Sequence, residues 1–520
     1  MSNRSKVMGF KSGLVAGAAS IAVAALLKII LVDAPFAPEI IAQAIISITP
    51  AALSYRIIEV LGSAAKYLAL LLGIALLLCF YGFLGIILTY VQEFKKIRVV
   101  GVLVSTTLAY STTLTLILLA ANLSGDLLRI QLSSLIIYHI PLSVIFGIIV
   151  GASYLMAFAP HSQQANVERR RLIKRLILST PLVAAALSTL LYLTLSKSAE
   201  DKLSEPYVKT LKPLTDYEVT PTPLFFSISK DFVSPTVDVE RWVLKVNGLV
   251  TDPLQLRLDD IKAMPQVEEY ATLECVSNPV GGDLISTALW RGVTLRSILE
   301  KAEVKNDAKY VVFRCSDGYS VGIPLHVALD EGTILAYEMN NEPLTADHGY
   351  PLRLIAPKYY GMMNPKWITE IEVVDSVYLG FWQKLGWANE AEYQTHSTIL
   401  VPGYSPLRKR FGLDPKPQET RLGDKVQIFG IAFAGDRGIS KVEVSLNGGS
   451  TWLTANLKKP LSKYTWVIWW LDWEVNTLGS YLIKVRATDG YGYLQSDDLS
   501  EPFPKGASGY HTIVVHVEAT

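Results

Sequence analysis

The chain has 520 residues, half of them hydrophobic, and a formal net charge of +1. Near-neutrality excludes the cation excess that a nucleic-acid-binding protein needs to neutralise phosphates, and three cysteines exclude a disulfide scaffold. No repeat or low-complexity run supports a collagenous, disordered or coiled-coil protein. The division expected is a membrane half followed by a globular half.

In chain order, apolar segments near Gly13–Val32, Leu68–Val91, Val99–Ala120, Leu135–Phe158 and Leu176–Leu195 reach the roughly 20 residues that cross about 30 Å of hydrocarbon. Ile40–Ile48 is too short to span, bracketed by Pro38 and Pro50, and reads as a re-entrant or interfacial piece. Arg4, Lys6 and Lys11 precede the first span, Lys95, Lys96 and Arg98 follow the second, and Arg169–Arg171, Lys174 and Arg175 follow the fourth. The positive-inside bias then places the N-terminus in the cytoplasm, and five crossings place everything after Leu195 outside a cell membrane. The spans carry one histidine, His139, so a bis-histidine haem is not expected; Cys79 reads as a small filler. Glu168-Arg169-Arg170-Arg171-Leu172-Ile173-Lys174 resembles a twin-arginine export signal, which would mean an exterior domain folded around a cofactor before export; an ordinary positive anchor explains the same loop.

Residues 200–224 carry Pro206, Pro213, Pro221 and Pro223 among charges, which suits an extended linker. Residues 225–405 mix strand and short-helix signals. Trp242, Leu244 and Val246 share one strand face, Lys309–Cys315 reads as a strand, and Leu295–Lys301 and Leu325–Asp330 read as helices. This pattern predicts an α+β domain. Residues 406–520 are strand-dominated: Val442, Val444 and Leu446 alternate, as do Ile513, Val515 and Val517, with turn signals at Asn447-Gly448 and Asp489-Gly490. About seven short strands predict an all-β, immunoglobulin-like sandwich. The expected whole is therefore an all-α transmembrane bundle, an α+β domain and an all-β sandwich.

The chemistry-bearing stretch is Thr272-Leu273-Glu274-Cys275-Val276-Ser277-Asn278-Pro279-Val280-Gly281-Gly282. No second cysteine or histidine stands at zinc-ligand spacing, and there is no phosphate loop, dinucleotide fingerprint or haem-attachment motif. A Cys–His hydrolase would need one of His326, His348 or His396 to converge on Cys275, which spacing leaves open.

From about Phe225 onward the chain resembles the sulfite oxidase family of molybdopterin-dependent oxidoreductases, including its C-terminal dimerisation domain. The resemblance rests on ordered blocks: Leu273–Asn278, Trp290–Val293, Ser316–Tyr319, Asn341–Leu344, His348–Arg353, Tyr360-Gly361, Lys366-Trp367, and Val442–Ser445 with Gly448-Gly449 and Trp452. It implies that Cys275 is the thiolate ligand of a molybdenum otherwise held by one pterin dithiolene and oxygens, a soft donor suited to a metal that changes oxidation state. It implies that Asn278, His348, Arg353, Asn364, Pro365 and Lys366, with Ser229 and Lys230, hold the pterin and its phosphate. Tyr319 and Arg437 would stand on the substrate side. Where the family places further arginines for an anion, this chain has Ala288-Leu289-Trp290 and Ser229 beside Lys230.

The reading is a membrane-anchored, extracytoplasmic enzyme moving an oxygen atom to or from a small sulfur or nitrogen oxo compound. Sulfite oxidation is the family default; S-oxide or N-oxide reduction is the alternative, favoured by the missing arginines. The alternative of another class is a cofactor-free, membrane-tethered binding or assembly protein. Implied partners are a small oxyanion or oxo-compound substrate, a separate cytochrome or quinone, the lipid bilayer and a second copy in a homodimer.

Overall fold

The computed structural model describes residues 3–30, 36–49, 53, 57, 64–95, 218–230, 234–403, 405 and 420–519. The chain divides into two compact units, Met1–Lys202 with Asp231–Thr236, and Leu203–Lys230 with Val237–Thr520.

In the first unit the described helices are Asn3–Ile30, Ala37–Ile48 and Ala64–Lys95. The first and third pack together with Phe10 and Phe83 edge to face at 5.6 Å. Their backbones approach so closely that a Cβ on Gly13 would strike the Tyr81 carbonyl, and one on Gly85 the Gly9 carbonyl. Small residues at a helix crossing are how helices associate where no hydrophobic drive separates them from solvent. Pro38 falls in the first turn of Ala37–Ile48, where its missing N–H costs nothing, and Thr49 closes the other end on the Ile45 carbonyl. Among the described residues one stretch, Tyr67–Ile87, is long and apolar enough to cross a membrane, with a mean hydropathy of 2.6. A five-span bundle is therefore not established. Expected spans one and two fall on the first and third helices, whereas 99–120, 135–158 and 176–195, and the Arg169–Lys174 loop, lie outside the described residues.

The second unit opens with β1 (Leu244–Gly248), β2 (Leu254–Leu256), β3 (Val267–Glu274), β4 (Ile285–Thr294), β5 (Tyr310–Cys315), β6 (Ser320–Pro324), β7 (Ile334–Met339), β8 (Glu342–Pro343), β9 (Arg353–Ile355) and β10 (Ile368–Val374). Short helices at Leu258–Lys262, Leu295–Lys301, Leu325–Ala328 and Phe381–Lys384 punctuate them. One sheet runs β2-β1-β10-β5-β6, with β1 and β10 parallel and the other pairs antiparallel; a second runs β3-β4-β7-β8, with β9 on β7. This is the mixed α+β architecture expected. Leu244 and Val246 are fully buried while Lys245 is exposed, as the alternation requires. Thr294 caps Leu295–Lys301 by accepting the Ser297 N–H at 3.2 Å.

The remainder forms β11 (His396–Val401), β12 (Thr420–Arg421), β13 (Lys425–Phe433), β14 (Ile439–Ser445), β15 (Leu453–Thr454), β16 (Asn456–Leu457), β17 (Val467–Glu474), β18 (Gly479–Asp489) and β19 (Thr512–Glu518). They make two sheets, β11-β13-β17-β16 and β12-β19-β18-β14-β15. Ile428, Trp469 and Trp473 from the first and Val444, Val485 and Val515 from the second close one apolar core between them. Because β11 pairs with β13, the first sheet begins before residue 406.

Candidate active site

Cys275 stands at the exit of β3, where its N–H donates to Leu284 O at 2.9 Å and its carbonyl accepts the Asn278 N–H at 2.9 Å. The resulting turn is locked from inside. Asn278 donates through Nδ2 to Glu274 Oε1 at 2.8 Å and accepts the Leu284 N–H at 3.0 Å, so this amide holds the loop rather than facing a ligand. A Cβ on Gly361 would lie 3.3 Å from Glu274 O and 3.9 Å from Cys275 Cα, which brings the Tyr360-Gly361 turn against the cysteine. Sγ lies 3.0 Å from Ser277 Oγ, and burial pushes the thiol upward in pKa, opposed by that hydrogen bond.

Three phenols surround this loop. Tyr319 donates to Met362 O at 2.6 Å. Tyr393 Oη accepts the Glu274 N–H at 3.3 Å, and Tyr360 Oη accepts the Gln394 N–H at 3.2 Å, with the two rings 4.7 Å apart. Burial is the main reason all three titrate well above the ordinary tyrosine range, and the charge of Cys275 adds to it in each. All three therefore stay protonated. Glu274 is also buried and raised, and His396 Nδ1 stands 3.5 Å from its Oε2. Among the described residues no histidine hydrogen-bonds Cys275; His396 faces Glu274, His348 lies in a separate cluster and His326 is exposed. The Cys–His hydrolase geometry is not formed.

The separate cluster is cationic. Arg353, at the start of β9 and 5% exposed, donates through Nη1 to His348 O at 3.0 Å and lies 4.8 Å above the Trp290 ring. Its Nε is buried with no hydrogen-bond partner, and no carboxylate pairs with it among the described residues. Burial lowers it to about 9, so it is still a cation at neutral pH. Lys366 Nζ reaches Ser229 Oγ at 2.8 Å, Ser227 Oγ at 3.3 Å and Asp347 O at 2.9 Å. His348 Nε2 lies 3.1 Å from Thr222 O; burial first, then Arg353 and Lys366, lower it to about 4, so the ring is neutral.

Asn364 accepts the Ala356 N–H at 2.6 Å and donates to Tyr359 O and Tyr360 O, while Pro365 O accepts the Leu354 N–H at 3.0 Å. Both pin the turn carrying Tyr360 and are spent on backbone. Lys230 Nζ lies 5.7 Å from the Phe381 ring, itself 6.1 Å from Tyr319, whereas Ser229 Oγ meets Lys366. Arg437 donates through Nε to Asp489 Oδ2 at 2.8 Å and through Nη2 to Tyr393 O and Thr395 Oγ1. Asp489 is 2% exposed at its side chain; burial pushes its pKa up, but Arg437 and the N–H donors hold it below the ordinary range.

Leu289 is set elsewhere than its alignment with an anion-binding arginine implies. It pairs with Tyr270, five residues along β4 from Leu284, or about 17 Å at strand rise. Its backbone instead holds Asn340, whose Nδ2 donates to Thr220 O and Thr222 Oγ1 behind His348. Glu274 and Tyr393 join the site without standing among the residues expected there. The signal for Glu274 was its place beside Cys275; Tyr393 has no motif, and only the fold brings it there.

A buried cationic cluster with an unpartnered Arg353 Nε and a recessed cysteine stand on one scaffold, an arrangement that suits an anionic cofactor. Comparison with known proteins agrees. Residues 231–382 match the oxidoreductase molybdopterin binding domain, and residues 414–517 the Mo-co oxidoreductase dimerisation domain. The chain belongs to this molybdopterin-dependent oxidoreductase family. It is 31% identical over 322 residues to human mitochondrial sulfite oxidase, covering 55% of this chain and 59% of that protein. It is 37% identical over 150 residues to the uncharacterized oxidoreductase YuiH of Bacillus subtilis, covering 29% of this chain and 74% of that one. Nitrate reductase (NADH) 1 of Phaseolus vulgaris is 30% identical over 339 residues, 54% of this chain and 38% of that one. The chain thus spans about six tenths of the length of the sulfite oxidases it matches. Among solved structures, the sulfane dehydrogenase SoxCD of Paracoccus pantotrophus aligns over 60% of this chain and 90% of its own, with 23% identity and a TM-score of 0.49.

The residues fit a molybdenum–molybdopterin group. Arg353, with its orphaned Nε, and Lys366 beside two serine hydroxyls form a donor set for a phosphate dianion, and a thiolate at Cys275 is a soft metal ligand.

Proposed function

We propose that this chain is a membrane-anchored, extracytoplasmic molybdenum oxidoreductase acting on a small sulfur or nitrogen oxo compound. The observation that carries the reading is Arg353: a buried cation with an unpartnered Nε and no counter-charge among the described residues, in the same domain as the recessed Cys275. Arg353, Lys366 and Ser229 would hold the pterin phosphate, with neutral His348 lining it, and Cys275 would ligate the metal. When bound, this group supplies two-electron oxygen-atom transfer. The protein's part is to exclude water and orient the substrate oxygen. Tyr319 already donates to Met362 O, whereas Tyr360 Oη accepts a backbone N–H and has no acceptor for its own hydrogen among the hydrogen bonds of the described residues, which makes it the phenol that would donate to a substrate oxygen.

Sulfite oxidation is the first reading. S-oxide or N-oxide reduction is the second, favoured by one observation: the Arg437 charge is already balanced by buried Asp489, and protonated phenols line the rest. Steady-state assays decide between them, sulfite with ferricyanide against dimethyl sulfoxide and trimethylamine N-oxide with reduced viologen. Turnover confined to one pair selects that reading, and turnover of neither removes both.

The exposed Leu71, Leu76, Phe83 and Ile87 on helix Ala64–Lys95 support a lipid-facing surface. The five spans set the N-terminus inside and the catalytic domain outside; protease digestion of right-side-out vesicles that leaves this domain intact would refute that. A cytochrome or quinone takes or supplies the single electrons, no haem is expected in this chain, and the immunoglobulin-like C-terminal domain pairs two copies.

A further inference from the structure

The segment Phe503–His511 leaves the sandwich and lies along the substrate domain. Phe503 meets Trp387 edge to face at 5.2 Å, and Pro504 O accepts the Ala388 N–H at 3.0 Å. Gly506, at φ +93°, sits on the Tyr360 hydroxyl so closely that a Cβ there would overlap it. His511 then enters β19 with its ring over Gly281, in the turn that follows Cys275. A Cβ on Gly281 would fall 2.5 Å from both Cδ2 and Nε2 of that ring, and Gly281 itself has φ +75°. The ring cannot drift, because its Nδ1 accepts the Ile399 N–H at 3.0 Å from β11, and its carbonyl accepts the Val485 N–H at 3.2 Å from β18.

We propose that the C-terminal sandwich is a working part of the cysteine site, its Phe503–His511 strap positioning Tyr360 and the Cys275–Gly282 turn, with His511 the positioning residue for that turn. The inference rests on the reading of Cys275 as the metal ligand only for its catalytic consequence; the restraint itself belongs to the protein. Loop 279–282 is closed by one backbone bond, Gly282 N to Pro279 O at 2.9 Å, and by Asn278, so a ring seated on Gly281 is the contact that stops it opening outward.

The test uses the full-length protein freed of cofactor and measures alkylation of Cys275 by iodoacetamide, resolved from Cys79 and Cys315 by mass spectrometry. His511→Asn keeps an acceptor for the Ile399 N–H and removes the ring from Gly281. Expected is a rise of about tenfold or more in Cys275 alkylation, as local opening exposes a buried thiol, with Cys315 unchanged. Gly281→Ala reaches the same contact from the other side if His511→Asn fails to fold, and is expected to raise the rate similarly. Combining the two should add little, because both break one contact. In loaded protein, His511→Asn should lower kcat with KM less affected. Wild-type alkylation in either folded single variant, or two independent multiplicative increases, would overturn the proposal. A molybdenum spectrum identical to wild type in loaded Cys275→Ser would sink the metal-ligand reading and leave the alkylation result standing.

Discussion

Around Cys275 the titratable neighbours are three protonated phenols and a buried carboxylate, Glu274; around Arg353 stand Lys366 and a neutral histidine, with Tyr393 the one phenol that acts on both ends. The same strand pair connects the two. β3 delivers Cys275 at its end, while β4 carries Trp290 under the Arg353 guanidinium. Under the proposed function the two ends would divide the labour. A phosphate needs fixed positive charge in a dry setting, where Coulombic attraction is strong. A reacting oxygen needs donors that do not compete as permanent ions, and phenols raised by burial supply them. Arg437 is the exception that keeps the rule, because Asp489 cancels its charge.

The largest expected effect breaks the cysteine end alone. Cys275→Ala should cut turnover by about a thousandfold or more, the scale on which loss of an essential group acts. Elemental analysis beside pterin fluorescence checks whether the pterin remains on the intact cationic end. Arg353→Met breaks the opposite end: losing a charge-assisted bond of about 2–3 kcal/mol should weaken pterin retention roughly 30- to 150-fold, read from pterin content after gel filtration. Asp489→Asn removes the compensation of Arg437. Half of a buried pair left alone costs about 3 kcal/mol, seen as a lower Tm, and the freed guanidinium should lower KM for an anionic substrate relative to a neutral one. Tyr360→Phe should lower kcat about tenfold or more, as loss of one oriented donor does, while leaving pterin content unchanged.

The smallest effect is in pH. Burial holds His511 at about 4, against an ordinary value near 6.5, so the unfolded chain binds a proton that the folded one refuses between those values. Stability is complete above about pH 6.5 and falls as pH drops toward 4. Protonation also removes the Nδ1 lone pair that accepts the Ile399 N–H. Thermal melts from pH 7.5 to 4.5 should show that slope flattened in His511→Asn.

Much of the fold was legible along the chain. Alternation at Val442–Leu446 and Ile513–Val517 became β14 and β19, and Trp242, Leu244 and Val246 became one buried face. His348, Arg353 and Lys366 sit within short ordered blocks, and the structure gathers them into one cluster around a neutral His348. Asn278, Asn364 and Pro365 were legible as important positions but not in role: their side chains or carbonyls close turns, a task visible only when the partner backbone is in place. Leu289 shows the reverse error, an alignment position whose strand register carries it away from the cysteine.

From the sequence come the strand and helix periods, the apolar segments, and the soft thiol and fork-like cation assigned above to a molybdenum–pterin group. These are local properties, readable from residue type and spacing. Tertiary structure alone decided which phenols face Cys275, that Asp489 neutralises Arg437 from 52 residues away, and that His511 seats on Gly281 from another domain. Those depend on long-range closure, in which burial and dielectric are set by everything packed around a group, and no spacing rule along the chain encodes that.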